Sequence, residues 1–405
     1  MTVAHGLPTR DAPVADDVLV TGLGVVSTLG CSVEELTRRF GRGERALESG
    51  GGAYVSSVPL DAVPPDKRGR IGRLDRLCRF FLAAAYLALQ DAGLQIDAAE
   101  AERVGLSFGT GLGCLLSNEE YYRKVVEQGP AAASPRVFAY TVSSAAAGEV
   151  SIAAGITGPN VTAHMGLAAG LGAVGYGFDL IQMGKADVVL AGGADVIGEA
   201  LIDGLRDMGL LKAFCKAAPY REARPGIFPS EAAVVAVLER GDRARRRGVP
   251  SWGRIDGYAA GFEPTLTRRQ RAGTGIERAA ERALCASRRS GDDVGLVVSS
   301  AHGTPIDEIE RAALGLALGG DGSALLLAPK AALGECFGAS GTLGLVLAAG
   351  SLRQRLRLAD GVAFDVKGGV LDAAESARRL RQCDVVMVSA LCYAGHVVNL
   401  ILSRA

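Results

Sequence analysis

One stretch, Gly158–Ala194, constrains the fold of this chain more than any other. It reads GPNVTAHMGLAAGLGAVGYGFDLIQMGKADVVLAGGA. This order predicts an extended segment, a turn rich in Gly and Ala, a helix with small residues for close packing, and a buried strand over Asp187–Ala191. Many α/β enzymes use a strand, a tight turn and a helix to present a nucleophile at the helix N-terminus, where the helix dipole lowers the pKa of a thiol. The expected nucleophile is absent from this stretch.

Length and charge narrow the class of protein. A chain of 405 residues exceeds one ordinary domain, so we expect two domains or one large duplicated body. The 44 basic and 44 acidic residues balance, and no long block carries one sign of charge. We therefore expect neither a nucleic-acid partner nor a membrane partner. The basic runs Arg243–Arg247 and Arg268–Arg271 are short and favour solvated helix ends or loops.

The cysteines and the N-terminus indicate where the chain works. Its 8 cysteines show no CxxC spacing, so we expect no zinc or other metal site and no disulfide framework. This usage is typical of a reducing compartment and predicts a cytoplasmic protein. Residues 1–17 lack the apolar core of a signal peptide and are expected to be a flexible arm. Since Gly, Asp or Lys interrupts every long apolar run, we predict no membrane span.

Buried strands alternate with helices along the chain. Strands are expected over Val18–Leu29, Arg103–Gly113 and Ala232–Leu238, and helices over Arg79–Gly93, Asn118–Glu127 and Phe138–Ile156. An exposed, arginine-rich helix is expected to follow the third strand. This alternation predicts largely parallel sheets covered by helices on both faces.

Two strand sequences recur later in the chain. VGLSFGTG from Val104 resembles VGLVVSSAHG from Val294, 190 residues on, and DVVLA from Asp187 resembles DVVMV from Asp384, 197 residues on. Similar offsets favour a duplicated α/β body. We place its halves at residues 18–250 and 251–405.

These segments resemble the β-ketoacyl synthase family of the thiolase superfamily over about residues 18–403. The matching motifs are VLVTGLGVVSTLG at 18–30, ITGPN at 156–160, GKADVVLAGGAD at 184–195, AHGT at 301–304, and KxxxG at 330–334 followed by GASG at 338–341. The resemblance implies an α/β, thiolase-like duplicated αβαβα fold of five layers that dimerises. It also implies an acyl carrier protein whose tethered acyl chain lies in a tunnel running toward the dimer interface, and no cofactor.

Active members of this family use a Cys at a helix N-terminus, which takes the acyl chain as a thioester, and two His residues that promote decarboxylation of malonyl-carrier protein. Alignment of the motifs puts the Cys position on Leu167, the first His on His302 and the second His on Glu335. Leucine has neither a lone pair nor a proton to give, so it cannot form a thioester. We therefore expect no chain elongation by this protein alone.

Glu335 is the second change with chemical consequences. An ionised carboxylate would face the carboxylate of malonate, and like charges about 4 Å apart repel by on the order of 4 kcal/mol at an effective dielectric of 20. A neutral Glu335 could donate one hydrogen bond but would supply no imidazole. A replacement pair from His164 and Cys336 is conceivable, but core or turn roles are favoured for both. A structural role is also favoured for His396.

A ketosynthase-like chain without its Cys resembles the chain-length factor of type II polyketide synthases. Such subunits form a heterodimer with a Cys-bearing ketosynthase and complete the tunnel across the interface. Members of aromatic pathways commonly carry Gln where this chain has Leu167, so its absence favours a reducing, polyene-type pathway.

In such subunits the helix after GTGLG sets the depth of the tunnel. Leu115, Asn118 and Tyr122 fall on one face of that helix and are the expected substrate-binding residues. The alternative is that Leu115 and Tyr122 only pack the dimer core.

Two other functions remain open at this point. The chain could be a ketosynthase-like acyltransferase, malonyl decarboxylase or hydrolase that uses His302 with Glu335. It could also be a degenerate scaffold that stabilises a synthase complex without contacting the substrate.

Overall fold

The computed structural model describes residues 17–46, 49–211, 219–220, 226–264, 272–301, 303–319, 324–359, 362–367 and 369–405. Eleven strands in these residues form one continuous hydrogen-bonded sheet. The strands are β1 (Val18–Ser27), β2 (Val104–Gly109), β3 (Asn160–Ala163), β4 (Val188–Asp195), β5 (Ala232–Arg240), β6 (Gly253–Phe262), β7 (Leu296–Val298), β8 (Leu325–Leu327), β9 (Ala363–Asp365), β10 (Val385–Leu391) and β11 (His396–Ser403).

Thirteen α-helices lie in the same described residues. They are α1 (Val33–Gly41), α2 (Arg76–Asp91), α3 (Leu115–Gln128), α4 (Pro135–Phe138), α5 (Ala145–Ala154), α6 (Ala169–Gln182), α7 (Glu199–Asp207), α8 (Gly241–Arg247), α9 (Thr274–Ser287), α10 (Ile306–Ala317), α11 (Lys330–Leu333), α12 (Ser340–Leu352) and α13 (Ala373–Arg381). Within this set, no helix is both long enough and apolar enough to cross a bilayer.

The strand order repeats one pattern in the two halves. The order is β3-β2-β4-β5-β1-β6-β11-β10-β7-β8-β9. In the first half β2 runs parallel to β3 and β4, and β5 runs antiparallel to β4 and β1. In the second half β7 runs parallel to β8 and β10, and β11 runs antiparallel to β10 and β6. The two recurring sequence segments therefore occupy equivalent strands, β2 with β7 and β4 with β10.

The expectation of largely parallel sheets is wrong. Each half is mixed, because β5 and β11 both reverse the chain direction. A short turn joins β10 to β11, and a short connection allows only antiparallel pairing. The two halves meet where β1 pairs with β6, through the pairs Val18–Ile255, Leu19–Arg254 and Val20–Gly253.

Side chains of each strand alternate between two faces of the sheet. In β4, Val189 and Ala191 belong to a central apolar cluster with α6 and α12, whereas Val188 and Leu190 belong to an outer cluster with α2 and α5. β10 alternates in the same way between the central cluster and an outer cluster with α9 and α10. The result is five layers, helix-sheet-helix-sheet-helix, with α6 and α12 in the middle. This arrangement confirms the predicted thiolase-like αβαβα fold.

The stretch Gly158–Ala194 folds as its sequence predicts. After β3 comes a 3₁₀ turn over Gly166–Ala168, then α6, then β4, which continues beyond the predicted strand to Asp195. The small residues of α6 allow close packing. A Cβ on Gly170 would lie 2.2 Å from the carbonyl oxygen of Gly338, so only glycine allows this approach between the halves.

Several element bounds differ from expectation. The helix expected over Phe138–Ile156 is broken between α4 and α5, where the Thr141 carbonyl accepts a hydrogen bond from the Cys114 thiol. The basic run Arg243–Arg247 lies on α8, but Arg243 and Arg247 are not simply solvated, because both pair with the fully buried Glu239. A tertiary contact decided the outcome in each case.

Some expectations stay predictions. Residues 1–16 of the expected arm, and the run Arg268–Arg271, lie outside the described residues. The division into halves at residues 250 and 251 also stays a prediction, although β6 begins close to it.

The central position of α12 predicts that a leucine in it contributes more to the free energy of unfolding than an exposed leucine elsewhere. Leu347 in α12 is fully buried, so Leu347→Ala should lower the free energy of unfolding by about 2–5 kcal/mol. Leu316 in α10 is 67% exposed, so Leu316→Ala should change it by less than about 0.5 kcal/mol. Denaturant unfolding of the two variants measures both values. Equal losses would contradict the central position of α12.

Candidate functional site

Leu167, which the sequence predicts to stand at the nucleophile position, lies at the start of the central helix α6. It sits in the 3₁₀ turn that precedes α6, and its side chain is only 6% exposed. It belongs to an apolar cluster, here called the Leu167 cluster, consisting of Leu167, Ile197, Ile202, Leu205, Ile227, Phe337 and Cys392. Partly buried Leu112 and Tyr393 pack against this cluster. The position therefore keeps the geometry of a nucleophile turn but has an apolar side chain in apolar surroundings.

Glu335 is held by an internal ion pair. Its side chain is fully buried, and one oxygen lies 2.8 Å from the Lys330 ammonium. The other oxygen accepts hydrogen bonds from the Ser340 hydroxyl at 2.7 Å and from the Phe337 backbone N–H at 3.1 Å. The sequence alone did not indicate this pairing with Lys330, and how Glu335 would face a substrate stays a prediction. Its charge is compensated within the chain, and both of its oxygens have donors.

His302 lies outside the described residues, so its predicted role is not assessed. The residues that follow it are described. Asp307 in the first turn of α10 accepts a hydrogen bond from the Gly303 backbone N–H at 2.7 Å and another from the Thr304 hydroxyl at 3.1 Å. Gly303 and Thr304 are thus anchored to Asp307 at the N-terminus of α10, where the helix dipole favours a carboxylate.

The predicted tunnel residues lie on α3, at the surface of the single chain. Leu115 and Asn118 are partly buried, and Asn118 donates to the Cys114 sulfur at 3.3 Å. Tyr122 is 58% exposed, and its ring packs edge-on against Tyr121 with centroids 5.3 Å apart. The structure brings the three residues onto one helix, and their contact with substrate stays a prediction.

Cys336, His164 and His396 are the other residues considered for a chemical role. Cys336 is completely buried, and burial raises the pKa of its thiol to about 12, so it stays protonated at neutral pH. His164 is exposed. The His396 ring packs edge-on against Phe262, with centroids 5.6 Å apart.

Sequence reasoning missed one residue near the site. Asp195, at the end of β4, is fully buried and accepts a backbone N–H from Gly338 at 2.6 Å. It also accepts the Gly111 backbone N–H at 2.7 Å. Burial raises the pKa of Asp195 to about 6, while its hydrogen bonds act in the opposite direction. The only signal in the sequence is an acidic residue closing an apolar strand.

A second buried acid lies in the C-terminal half. Glu310 on α10 is nearly inaccessible and accepts the Ser300 backbone N–H at 3.0 Å and the Ser389 hydroxyl at 3.1 Å. Burial raises its pKa to about 7, and the nearby Asp307 adds to the rise. Glu310 therefore changes charge near neutral pH.

Comparisons with known proteins decide the family. The model of the beta-ketoacyl synthase N-terminal domain matches residues 60–244, and that of the C-terminal domain matches residues 252–358. The chain belongs to the β-ketoacyl synthase family. Among its relatives is the tetracenomycin polyketide synthase ketoacyl synthase alpha subunit of Streptomyces glaucescens, 32% identical over 290 residues and covering 68% of each chain. Another is the 3-oxoacyl-[acyl-carrier-protein] synthase 2 of Vibrio cholerae serotype O1, 27% identical over 360 residues, covering 83% of this chain and 86% of the relative.

Solved structures of β-ketoacyl synthases share this fold. A structure described as the ishigamide ketosynthase/chain length factor superposes with a TM-score of 0.80 at 23% identity, covering 97% of this chain and 100% of that one. A beta-ketoacyl synthase from Burkholderia phymatum STM815 gives a TM-score of 0.78 at 21% identity, covering 96% of this chain and 100% of that one. This family member therefore keeps the ketosynthase fold, with Leu167 in the turn before α6.

The buried ion pair of Lys330 and Glu335 predicts that substitutions of the two residues have non-additive effects on the free energy of unfolding. Lys330→Met leaves the buried carboxylate of Glu335 without its cation, and breaking such a pair should cost about 3–5 kcal/mol of unfolding free energy. The double variant Lys330→Met with Glu335→Gln removes the charge and should recover at least half of that loss. Chemical unfolding measures both variants. Equal stability of the single and double variants would contradict a charged pair.

The raised pKa of Glu310 predicts that the free energy of unfolding falls as the pH rises. Its folded-state pKa of about 7 exceeds its ordinary value of 4.5, so folding favours the protonated acid. The stabilisation is complete below about pH 4.5 and is lost as the pH rises through 7, a change on the order of 3 kcal/mol. Unfolding curves from pH 5 to 8 should be flatter for Glu310→Gln than for wild type. The exposed Glu127→Gln should keep the wild-type slope, and an unchanged slope in Glu310→Gln would be the contrary result.

Proposed function

We propose that this chain is a non-catalytic chain-length factor. It pairs with a Cys-bearing ketosynthase and shapes the tunnel that holds the growing acyl chain during type II polyketide elongation. The observation that carries the proposal is Leu167, an unreactive side chain in an otherwise complete nucleophile turn before α6. A catalytic ketosynthase needs a thiolate at this point, and leucine has no ionisable or nucleophilic atom.

The second catalytic position supports the same conclusion. An imidazole at position 335 would donate to the developing enolate, whereas the Glu335 carboxylate is occupied by Lys330 and Ser340 inside the chain. An ionised carboxylate only accepts hydrogen bonds and has no proton to donate, so it cannot stabilise an oxyanion. Two of the three family positions therefore lack the required chemistry.

A surface with exposed apolar residues supports a partner chain. Tyr122 and Val126 on α3 are 58% and 82% exposed, Phe138 at the end of α4 is 57% exposed, and Ile152 on α5 is 61% exposed. In addition, β3 lies at the end of the sheet, where a strand edge favours pairing with another strand. Large exposed apolar areas on a folded chain commonly mark an interface, and obligate interfaces often exceed about 2,000 Å².

The similar proteins support the choice of partners. One solved structure with this fold is described as a ketosynthase/chain length factor, and another as a type II PKS acyl-carrier protein in complex with its ketosynthase bound to the hexaketide. We accordingly propose a catalytic ketosynthase and an acyl carrier protein as partners. Leucine in place of the glutamine of aromatic pathways favours a reducing, polyene-type product. We propose the cytoplasm as its location.

The alternative is an enzyme that works alone. Relatives named as 3-oxoacyl synthases favour it, and a malonyl decarboxylase or acyltransferase would use His302 with Glu335. The internal pairing of Glu335 disfavours it. Release of labelled carbon dioxide from malonyl-carrier protein by the purified chain alone would establish the enzyme, and absence of release is the result expected for a chain-length factor.

Tyr122 gives the direct test of chain-length control. In a reconstituted heterodimer with a Cys-bearing ketosynthase, Tyr122→Ala should lengthen the product, because a smaller side chain deepens the tunnel. Tyr176→Ala removes the same volume from a partly exposed position on α6, outside α3, and should leave the product length unchanged. Mass spectrometry of the released products measures both. An intact Tyr122→Ala heterodimer that makes the wild-type product would refute the assignment, and unchanged products from both variants would favour the scaffold function.

A further inference from the structure

Asp195 is the acceptor at the centre of four hydrogen bonds. Its Oδ1 accepts from the Thr110 hydroxyl at 2.5 Å and from the Leu112 backbone N–H at 3.0 Å. Its Oδ2 accepts from the Gly111 backbone N–H at 2.7 Å and from the Gly338 backbone N–H at 2.6 Å. Both oxygens are fully used, and the side chain is entirely buried.

These donors come from two distant parts of the fold. Thr110, Gly111 and Leu112 form the loop between β2 and α3, in the first half of the molecule. Gly338 lies in the 3₁₀ turn before α12, in the second half. The Thr110 hydroxyl also accepts the Gly113 backbone N–H at 2.8 Å, which extends the same network to the start of α3. One carboxylate thus joins the beginning of α3 to the other half.

The contact between Asp195 and Gly338 leaves no room for a side chain at position 338. A Cβ built on Gly338 would lie 2.8 Å from Asp195 Oδ2 and 2.8 Å from the Gly111 nitrogen. Since these N–H groups are buried or partly buried, each depends on the carboxylate for its hydrogen bond. Loss of the acceptor would leave unpaired donors that only a movement of the loop could satisfy.

Two further hydrogen-bonded anchors lie in the first half of α3, and in its second half the exposed Arg123 pairs with Glu199 at 3.5 Å. The Ser117 hydroxyl donates to Asp75 at 2.7 Å, and the Glu119 carboxylate accepts the Ala200 N–H at 3.3 Å. Tyr122 is exposed farther along the helix, about 10 Å from Leu115 at 1.5 Å per residue. A tilt of about 10° at the start of α3 would move Tyr122 by roughly 2 Å. The buried start therefore controls where the exposed face lies.

We infer that Asp195 is a positioning residue for chain-length control, which holds α3 at a fixed angle by tying its leading loop to the turn at Gly338. This inference rests on the proposed function, because α3 carries the residues expected to line the tunnel. A carboxylate suits the role because it offers acceptors on both oxygens to four donors. Asparagine has nearly the same shape, but its amide NH₂ donates and cannot accept. It would face two of the four donors, and those hydrogen bonds would be lost.

The test uses the reconstituted heterodimer with Asp195→Asn. We expect hydrogen exchange at residues 110–115 and 336–340 to rise together, by at least tenfold, and the product to spread over several chain lengths. Glu310→Gln is the matched control: it also removes a buried carboxylate that accepts a backbone N–H and a hydroxyl, but in α10, away from the α3 loop. It should change neither the exchange of these two segments nor the product length.

A purely structural role predicts a different result. Asp195→Asn would then lower the yield in proportion to the folded heterodimer, with unchanged product lengths, and this outcome would overturn the inference. If that variant fails to assemble, Thr110→Val removes the hydroxyl that donates to Asp195 and accepts the Gly113 N–H, but it leaves the three backbone donors of Asp195 in place and should cause a smaller broadening of product length. Wild-type products from an assembled Thr110→Val heterodimer would also overturn it.

The Tyr122→Ala heterodimer separates the two proposals. If Tyr122→Ala changes the product length and both Asp195→Asn and Thr110→Val do not, the positioning role of Asp195 fails and the proposed function stands. If none of the three variants changes the product length, the proposed function fails. Coupled exchange at the two segments would still support the mechanical link through Asp195, and independent exchange would refute that link.

Discussion

The close contact between the two halves at the centre of the molecule is the constraint on which the rest of the structure depends. The first turn of α6 and the turn before α12 approach so closely that a Cβ on Gly170 would overlap the carbonyl oxygen of Gly338. Small residues, Gly170 of α6 and Gly341 of α12, stand where the central helices meet, and the two halves of the sheet pack their inner faces on these helices. Asp195 completes the contact by accepting N–H groups from both sides.

This arrangement explains how the fold accommodates a leucine at position 167 and a glutamate at position 335. Nothing in the central packing requires a thiol at position 167, because the turn is held by backbone geometry and by neighbouring apolar side chains. Leucine adds apolar burial there. Glutamate at position 335 is tolerated because Lys330 and Ser340 supply its charge and hydrogen-bond partners. Leu167 and an ion-paired Glu335 are therefore compatible with the ketosynthase fold in one sequence.

Much of the fold could be predicted from local patterns. The order of turn, helix and strand after Gly158, and the recurrence of the segments at Asp187 and Asp384, reflect periodicity that neighbouring residues carry. The assignment of positions 167 and 335 to the Cys and second His of the family rests on the register of the flanking glycines and stays a prediction. The predictions that failed concerned strand direction and the break between α4 and α5. Those depend on contacts with residues far along the chain, such as Cys114 with Thr141.

The sequence by itself determined the family, the duplicated body and the absence of a nucleophile at Leu167, since these follow from residue identity and spacing. Only the tertiary structure decided that Glu335 is ion-paired, that Tyr122 is exposed and that Asp195 joins the halves. The reason is physical: Asp195 and Gly338 are 143 residues apart, and nothing in the local pattern of either residue encodes its partner. Burial and hydrogen bonding of polar groups emerge only when distant segments meet.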